Sequence, residues 1–335
     1  MQNNIKWNYF IARGSWDGIR KAFDKRTGTI ADINLGLVAA LNFAGVNADA
    51  VLVSTRDNGI VSKLSPVVDE FNYVIVKTSI GGKTYLLDAT DPLLSFGLLP
   101  LRCLNDQGRV ISLNKPSYWI DINKQNASTT STLNFTLTDN GKLKGVIKNY
   151  LIGYSAYTKR KAIKEFSSKE EYIEDFDEKR PRLKVLSGSI SNLDSLDLPL
   201  TETYEVEIDV YDKLGDGKLT FNPFLFNRLM VNPYKLADRS YPVDRGMASN
   251  ERVTLTVQLP EKYSVENPPK NLNIGLPDGG GKFVTNFDAD KNVFTFSHAI
   301  VLNKAIYMPG EYPYLKELFN QIILSEKVDL VFKKN

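Results

Sequence analysis

Along the first third of the chain, apolar positions alternate between two periods. Ile33, Leu37, Leu41 and Ala44 recur at three- and four-residue steps, and Gly45 stands where a stop is needed, so a buried helix is predicted over 31–44. Ser15 to Asp24 predicts a shorter helix before it. Ala50–Ser54, Tyr73–Thr78 and Thr84–Leu87 are dense in β-branched and large apolar residues and predict strands, the last two joined by a hairpin turn at Gly81-Gly82. The expected unit is one helix packed against a small antiparallel sheet.

From about Pro116 the pattern changes to strands separated by turn clusters, which predicts a mostly β sandwich. Strands are expected at Thr132–Leu137, Lys142–Lys148, Leu183–Ser189, Thr203–Val210, Arg252–Leu259, Lys282–Phe287, Val293–His298 and Val328–Lys333. Helices are expected over Ser155–Lys164, from Ser168 to a stop before Pro181, and over Pro313–Leu324; Ser168 with Glu171 three residues on reads as a capping box. The fold class is therefore α+β, with a helix-on-sheet domain over 1–115 and a β-sandwich domain with inserted helices over 116–335.

Composition narrows the chemistry. The 335 residues carry 42 basic and 39 acidic side chains, with no long basic block, so a nucleic-acid partner is not expected. One cysteine, Cys103, excludes an internal disulfide, and one histidine, His298, leaves too few soft ligands for zinc; neither metal nor cofactor is expected. No apolar run approaches the roughly 20 residues of a membrane span, and MQNNIKWNYF lacks the order of a signal peptide. The carboxylate clusters at Asp212–Gly217 and Asp288–Asn292 lack the central glycine and closing glutamate of a calcium loop and read as hairpin turns. PDGGGK at Pro277–Lys282 has no Ser or Thr after its lysine and precedes a strand, so it reads as a turn. Isolated cysteines are usually small buried hydrophobes, and Cys103 and His298 are expected in that structural role.

Three short stretches carry a resemblance. "GTIADINLG" with "GVNA" supplies Gly28, Asp32, Gly45, Val46 and Ala48; "FNYVIV" supplies Tyr73; "YLLDATDP" supplies Asp88, Ala89 and Thr90. In this order and spacing they resemble the bacterial transglutaminase-like (papain-like) superfamily, whose members place a cysteine at the start of a buried helix, a histidine at the start of the next long strand and an aspartate on the strand after it. The resemblance puts Ile30 at the cysteine position, Tyr73 at the histidine position and Asp88 at the aspartate position. Phe221–Gly246 and "LPEKYSVENPP" resemble the domain of unknown function that follows the transglutaminase-like domain in large exported bacterial proteins. The resemblance implies a periplasmic or cell-surface location and a chain that begins inside the family pattern, its first domain N-terminally incomplete.

An isoleucine has no nucleophilic atom, and a tyrosine with an ordinary pKa near 10 is a poor general base at neutral pH. Asp88, before a tight Asp-Ala-Thr turn, can equally hold backbone N–H groups. The expected function is a non-catalytic binding or scaffolding module of the cell envelope, with a groove at Asn72, Tyr73, Tyr85 and Asp88 facing a peptide, a glycan or an envelope protein. The alternatives are a cysteine-protease-like amidase or acyl transferase whose nucleophile is unrecognised or supplied by a partner, and a purely structural envelope protein whose old cleft is filled by side chains.

Overall fold

The computed structural model describes residues 1–335 apart from 113, 114, 123, 124, 210–217, 225–227, 291 and 335. The Asp212–Gly217 cluster thus lies outside the described residues, as does Lys291 of the second cluster. The fold is mixed, with sheet predominating, and divides into two compact units, 1–125 and 126–335.

In the first unit, α1 (Ile19–Lys25) and α2 (Ile30–Phe43) precede a five-stranded antiparallel sheet of β1 (Ala48–Val53), β2 (Tyr73–Ile80), β3 (Lys83–Leu87), β4 (Gln107–Ile111) and β5 (Tyr118–Asp121), in the order β3-β2-β1-β4-β5. The apolar stripe of α2 explains its placement: Leu37, Val38 and Leu41 pack with Ala48, Val76, Leu87 and Tyr85. Burying such side chains contributes roughly 1.5–3 kcal/mol each. Gly45, in the left-handed region at φ 79°, ends α2, and Gly81 and Gly82, both at positive φ, close the β2–β3 hairpin as their sequence implies. The first helix begins later than the expected Ser15, after Gly18 at φ 88°. β4 and β5 extend the sheet beyond the expected strands, and because β5 pairs with β4 the first unit runs to Gln125, past the boundary expected at 115.

The second unit is built on one eight-stranded sheet. Its strands are β6 (Asn126–Leu137), β7 (Lys142–Gly153), β8 (Leu183–Ser191), β9 (Leu200–Asp209), β11 (Ala248–Gln258), β13 (Leu272–Gly275), β14 (Gly281–Asp290) and β15 (Val293–Leu302). Their order is β8-β9-β7-β6-β11-β15-β14-β13; only the β6–β11 pair is parallel. A three-stranded sheet of β10 (Leu219–Phe221), β12 (Tyr263–Val265) and β16 (Leu330–Lys334) lies on its inner face, where Phe221, Leu330 and Phe332 pack with Leu133, Phe135, Phe294 and Phe296. Helices α3 (Tyr154–Lys164), α4 (Lys169–Glu178) and α5 (Tyr312–Glu326) complete the cover, α5 through Leu315, Leu318 and Ile322 against Phe283 and Leu302. The large sheet is thus faced by a small sheet and helices together rather than by a second sheet of equal size. Ser168 caps α4 by accepting from the Glu171 N–H at 3.1 Å. PDGGGK forms a short turn that feeds β14.

Candidate functional site

The N-terminus of α2 is tightly specified. The Thr29 hydroxyl accepts from the Asp32 N–H at 3.2 Å while the Asp32 carboxylate accepts from the Thr29 N–H at 2.8 Å, a reciprocal cap that satisfies two orphan donors of the first turn. A second Asp32 oxygen takes the Ser15 hydroxyl. Gly28 precedes the cap because a Cβ there would come within 2.9 Å of the Ala22 and Asp32 Cβ atoms. Ile30, the first helical residue, is fully buried.

Tyr73 opens β2 and Asp88 directly follows β3, one hairpin away, so the antiparallel pairing brings them together. The Tyr73 hydroxyl donates to the Asp88 carboxylate at 2.8 Å. Asn34, one turn into α2, donates from its amide to the same carboxylate oxygen at 2.9 Å and to the Val74 carbonyl at 2.9 Å, while its own carbonyl accepts from the Ala89 N–H at 2.9 Å. The other Asp88 oxygen accepts from the Thr90 N–H at 2.8 Å and from the Thr90 hydroxyl. The Asp-Ala-Thr turn, the helix and the strand are thereby tied at one carboxylate. Every member is buried: Asn34 and Tyr73 expose nothing, and Asp88 and Thr90 expose 7% and 6%.

Cys103 joins this cluster. It lies in the 3-10 turn Leu101–Cys103, fully buried, and near enough to Tyr73 and Asp88 for their charges to bear on its own. Arg102 beside it sets its guanidinium over the Trp7 ring at 4.4 Å and over the Tyr73 ring at 5.7 Å. Burial pushes the Cys103 thiol pKa up and the nearby Asp88 charge adds to this, against a smaller opposing effect of Arg102. Burial likewise raises the Tyr73 pKa, with Cys103 and Asp88 adding, so its hydroxyl stays protonated and donates. A catalytic thiol needs the reverse, a lowered pKa and an open approach.

Asn72 and Tyr85 have other partners. The Asn72 side chain accepts from the Thr55 N–H at 2.9 Å and donates to the Thr55 hydroxyl at 3.0 Å. Tyr85 packs on Phe96 at 5.0 Å between ring centres and lines a cleft of about 560 Å³ with Gln107, Trp119, Asp121 and Gln125. Asn34 is the site residue that the sequence did not point out, and Cys103 was expected only as a small buried hydrophobe. Asn34 had a signal, as a polar residue within the apolar stripe of a buried helix.

His298, in the second unit, stands on β15 beside Phe224 and Phe296, at 4.9 and 6.1 Å between ring centres. Burial lowers its pKa to about 4, so at neutral pH it is an uncharged imidazole. Among the described residues no group of three or more His, Cys, Asp or Glu side chains could hold a metal ion, and no helix is long and apolar enough to cross a membrane.

Comparison with known proteins places only part of the chain. The family model of a domain of unknown function, DUF3858, matches residues 217–332. A solved structure described as a "putative protease" from Parabacteroides distasonis is similar over 98% of this chain, with a TM-score of 0.50 and 16% identity. The chain spans about half of that structure's length, 49%. At that identity the likeness is one of fold. No curated protein matches the chain.

Proposed function

We propose that the first unit is a transglutaminase-like domain that has lost its catalytic apparatus, and that the chain acts as a non-catalytic binding or scaffolding module of the bacterial cell envelope. The observation that carries the reading is the closed cluster around Asp88. Where the superfamily's aspartate would orient a histidine, this carboxylate is occupied by Tyr73, Asn34 and Thr90, and where the cysteine would stand there is the buried Ile30. Each former catalytic position now serves packing. The transglutaminase-like assignment rests on the sequence motifs, and the likeness in fold to a protein described as a protease is compatible with it. The envelope location rests on the resemblance to exported proteins.

The alternative, an amidase or acyl transferase with an unrecognised nucleophile, has one observation to start from, since Cys103 is near enough to Tyr73 and Asp88 for their charges to bear on its own. Its chemistry argues against that role: the thiol is fully buried and its pKa is raised, so almost no thiolate forms at neutral pH. The test is turnover of peptide amides and cell-wall fragments by the purified protein and by Cys103→Ser. Equal, background-level rates are expected. Turnover by the parent that Cys103→Ser abolishes, with circular dichroism unchanged, would establish the enzyme reading instead.

A further inference from the structure

The inner face of the eight-stranded sheet is apolar along most of its length but carries one polar row across it. Cross-strand register aligns Glu202 of β9 with Asn149 of β7, Asn149 with Ser131 of β6, Ser131 with Val253 of β11, and Val253 with His298 of β15. Two residues further along each strand, the corresponding row is Tyr204, Ile147, Leu133, Leu255 and Phe296, all buried in the core. Strand alternation puts both rows on the same face. A polar row there forgoes apolar burial at several consecutive positions, which packing alone does not call for.

The row is internally bonded at one end. The Ser131 hydroxyl donates to the Asn149 carbonyl at 2.7 Å, and the Asn149 amide donates to Glu202 at 3.2 Å. The other Glu202 oxygen accepts from the Tyr172 hydroxyl at 2.8 Å and the Tyr204 hydroxyl at 3.1 Å, with the Lys159 ammonium 3.6 Å away. Glu202 is 2% exposed, so this is a constructed carboxylate site and not a solvated one. At the other end His298 is 7% exposed, and among the described residues its Nδ1 has no hydrogen-bond partner. Buried polar atoms are rarely left so.

Ser131, Asn149, Glu202, Lys159 and His298 line a cavity of about 140 Å³. That is close to the roughly 150 Å³ engineered cavity that takes up a benzene-sized molecule, but this one is walled by polar groups and partly open. Its charged lining balances: Lys159 and Arg180 supply two cations, Glu202 and Glu251 two carboxylates, and His298 is neutral. A ligand of either net charge would meet a like charge as readily as an opposite one. Thr129, together with the lone pairs of Ser131 and the second amide proton of Asn149 that their mutual bonds leave over, offers acceptors beside donors, the pattern that hydroxyl groups, each both donor and acceptor, match. Phe176, which stacks on Tyr204 at 4.4 Å and carries Arg180 over its other side at 3.7 Å, and Phe224 add aromatic walls. This is the common make-up of a small-molecule site, a concave pocket with a few convergent polar groups.

We propose that this cavity in the second unit binds a small uncharged polyhydroxylated molecule of about the size of one sugar ring, held by the Glu202–Asn149–Ser131 ladder and by His298. The site lies wholly within the second unit and stands whether or not the first unit is catalytic.

His298 is the chain's one histidine, so its imidazole gives a single, assignable set of NMR signals. The experiment titrates the full-length protein with glucose, galactose, mannose and glycerol, and in parallel with acetate, phosphate and methylammonium, following the His298 ring. A saturable shift with at least one of the neutral probes is expected, lost in Asn149→Leu and at least tenfold weaker in Ser131→Ala. Silence toward all four neutral probes up to ~100 mM, far above a millimolar dissociation constant, would overturn the proposal. So would saturable binding of a charged probe alone, or binding that persists unchanged in a folded Asn149→Leu protein. Should Asn149→Leu not fold, the parent titration and Ser131→Ala still decide the matter.

Discussion

Replacing Tyr73 with phenylalanine removes one oxygen and leaves the ring. The site is buried, and Asp88 keeps Asn34 and Thr90 but loses the 2.8 Å bond from the hydroxyl. Hydrogen bonds to charged groups are worth about 1.5–3 kcal/mol, and the aromatic contacts with Arg102 persist in the variant, so a loss of about 2 kcal/mol is expected. The assay is urea unfolding followed by tryptophan fluorescence. All three tryptophans, Trp7, Trp16 and Trp119, lie in the first unit, so the signal reports on the unit that contains the substitution. The midpoint should fall with an unchanged slope. A loss below about 0.5 kcal/mol, in the range of ordinary surface substitutions, would mean that the Tyr73–Asp88 bond does not brace the fold, and the reading of the former triad as a structural tie would fail with it.

Other outcomes follow from the same geometry. His298 has a folded pKa of about 4 against an unfolded value near 6.5, so the unfolded chain takes up its proton first as pH falls. Its stabilising contribution is whole above pH 6.5 and is lost toward pH 4, by about 3 kcal/mol. Burial raises Glu326 to about 7, which acts in the opposite sense between pH 7 and 4.5, so the difference in urea stability between parent and His298→Phe across this range isolates the histidine. Parallel pH profiles for the two proteins would contradict this. Gly145→Ala would place a Cβ 1.9 Å from the Asn134 carbonyl oxygen in the partner strand, and a destabilisation of about 3 kcal/mol or more is expected by circular dichroism melts; a neutral result would show that β6 and β7 can separate locally. Ile30→Cys combined with Tyr73→His should destabilise the first unit by roughly 2–5 kcal/mol and yield no reactive thiol at position 30, because the pair replaces a packed core and not an open cleft. A thiol there alkylated faster than a free thiol would show an open, activating site at the start of α2 instead.

Much of the first unit was legible because its signals are local. The helical period of α2 and the paired glycines of the β2–β3 hairpin each act within a few residues, and the structure has both. The resemblance put Tyr73 and Asp88 at two positions of one triad, and the structure bonds the two to each other. The burial of Cys103 was expected but its nearness to Tyr73 and Asp88 was not, since the aperiodic stretch after β3 takes a course that depends on tertiary packing. β6 and β7 were expected to be shorter than they are for an instructive reason. Their extensions, Asn126–Ser131 and Asn149–Gly153, lose the apolar alternation just where Ser131 and Asn149 turn polar groups onto the inner face. A strand predicted from alternation stops where the sheet departs from a plain core, and that departure is where the second unit keeps its polar cavity.

Alkylation of the single thiol tests the central claim most directly. Cys103 is buried close enough to Tyr73 and Asp88 for their charges to bear on its own, so its access to reagent reports whether that place is filled or open. With iodoacetamide at pH 8 the native protein should react only as fast as it opens, the rate rising with urea in step with unfolding of the first unit. Prompt alkylation in native buffer, at or above the rate of a free thiol, would contradict the account and return the site to catalysis.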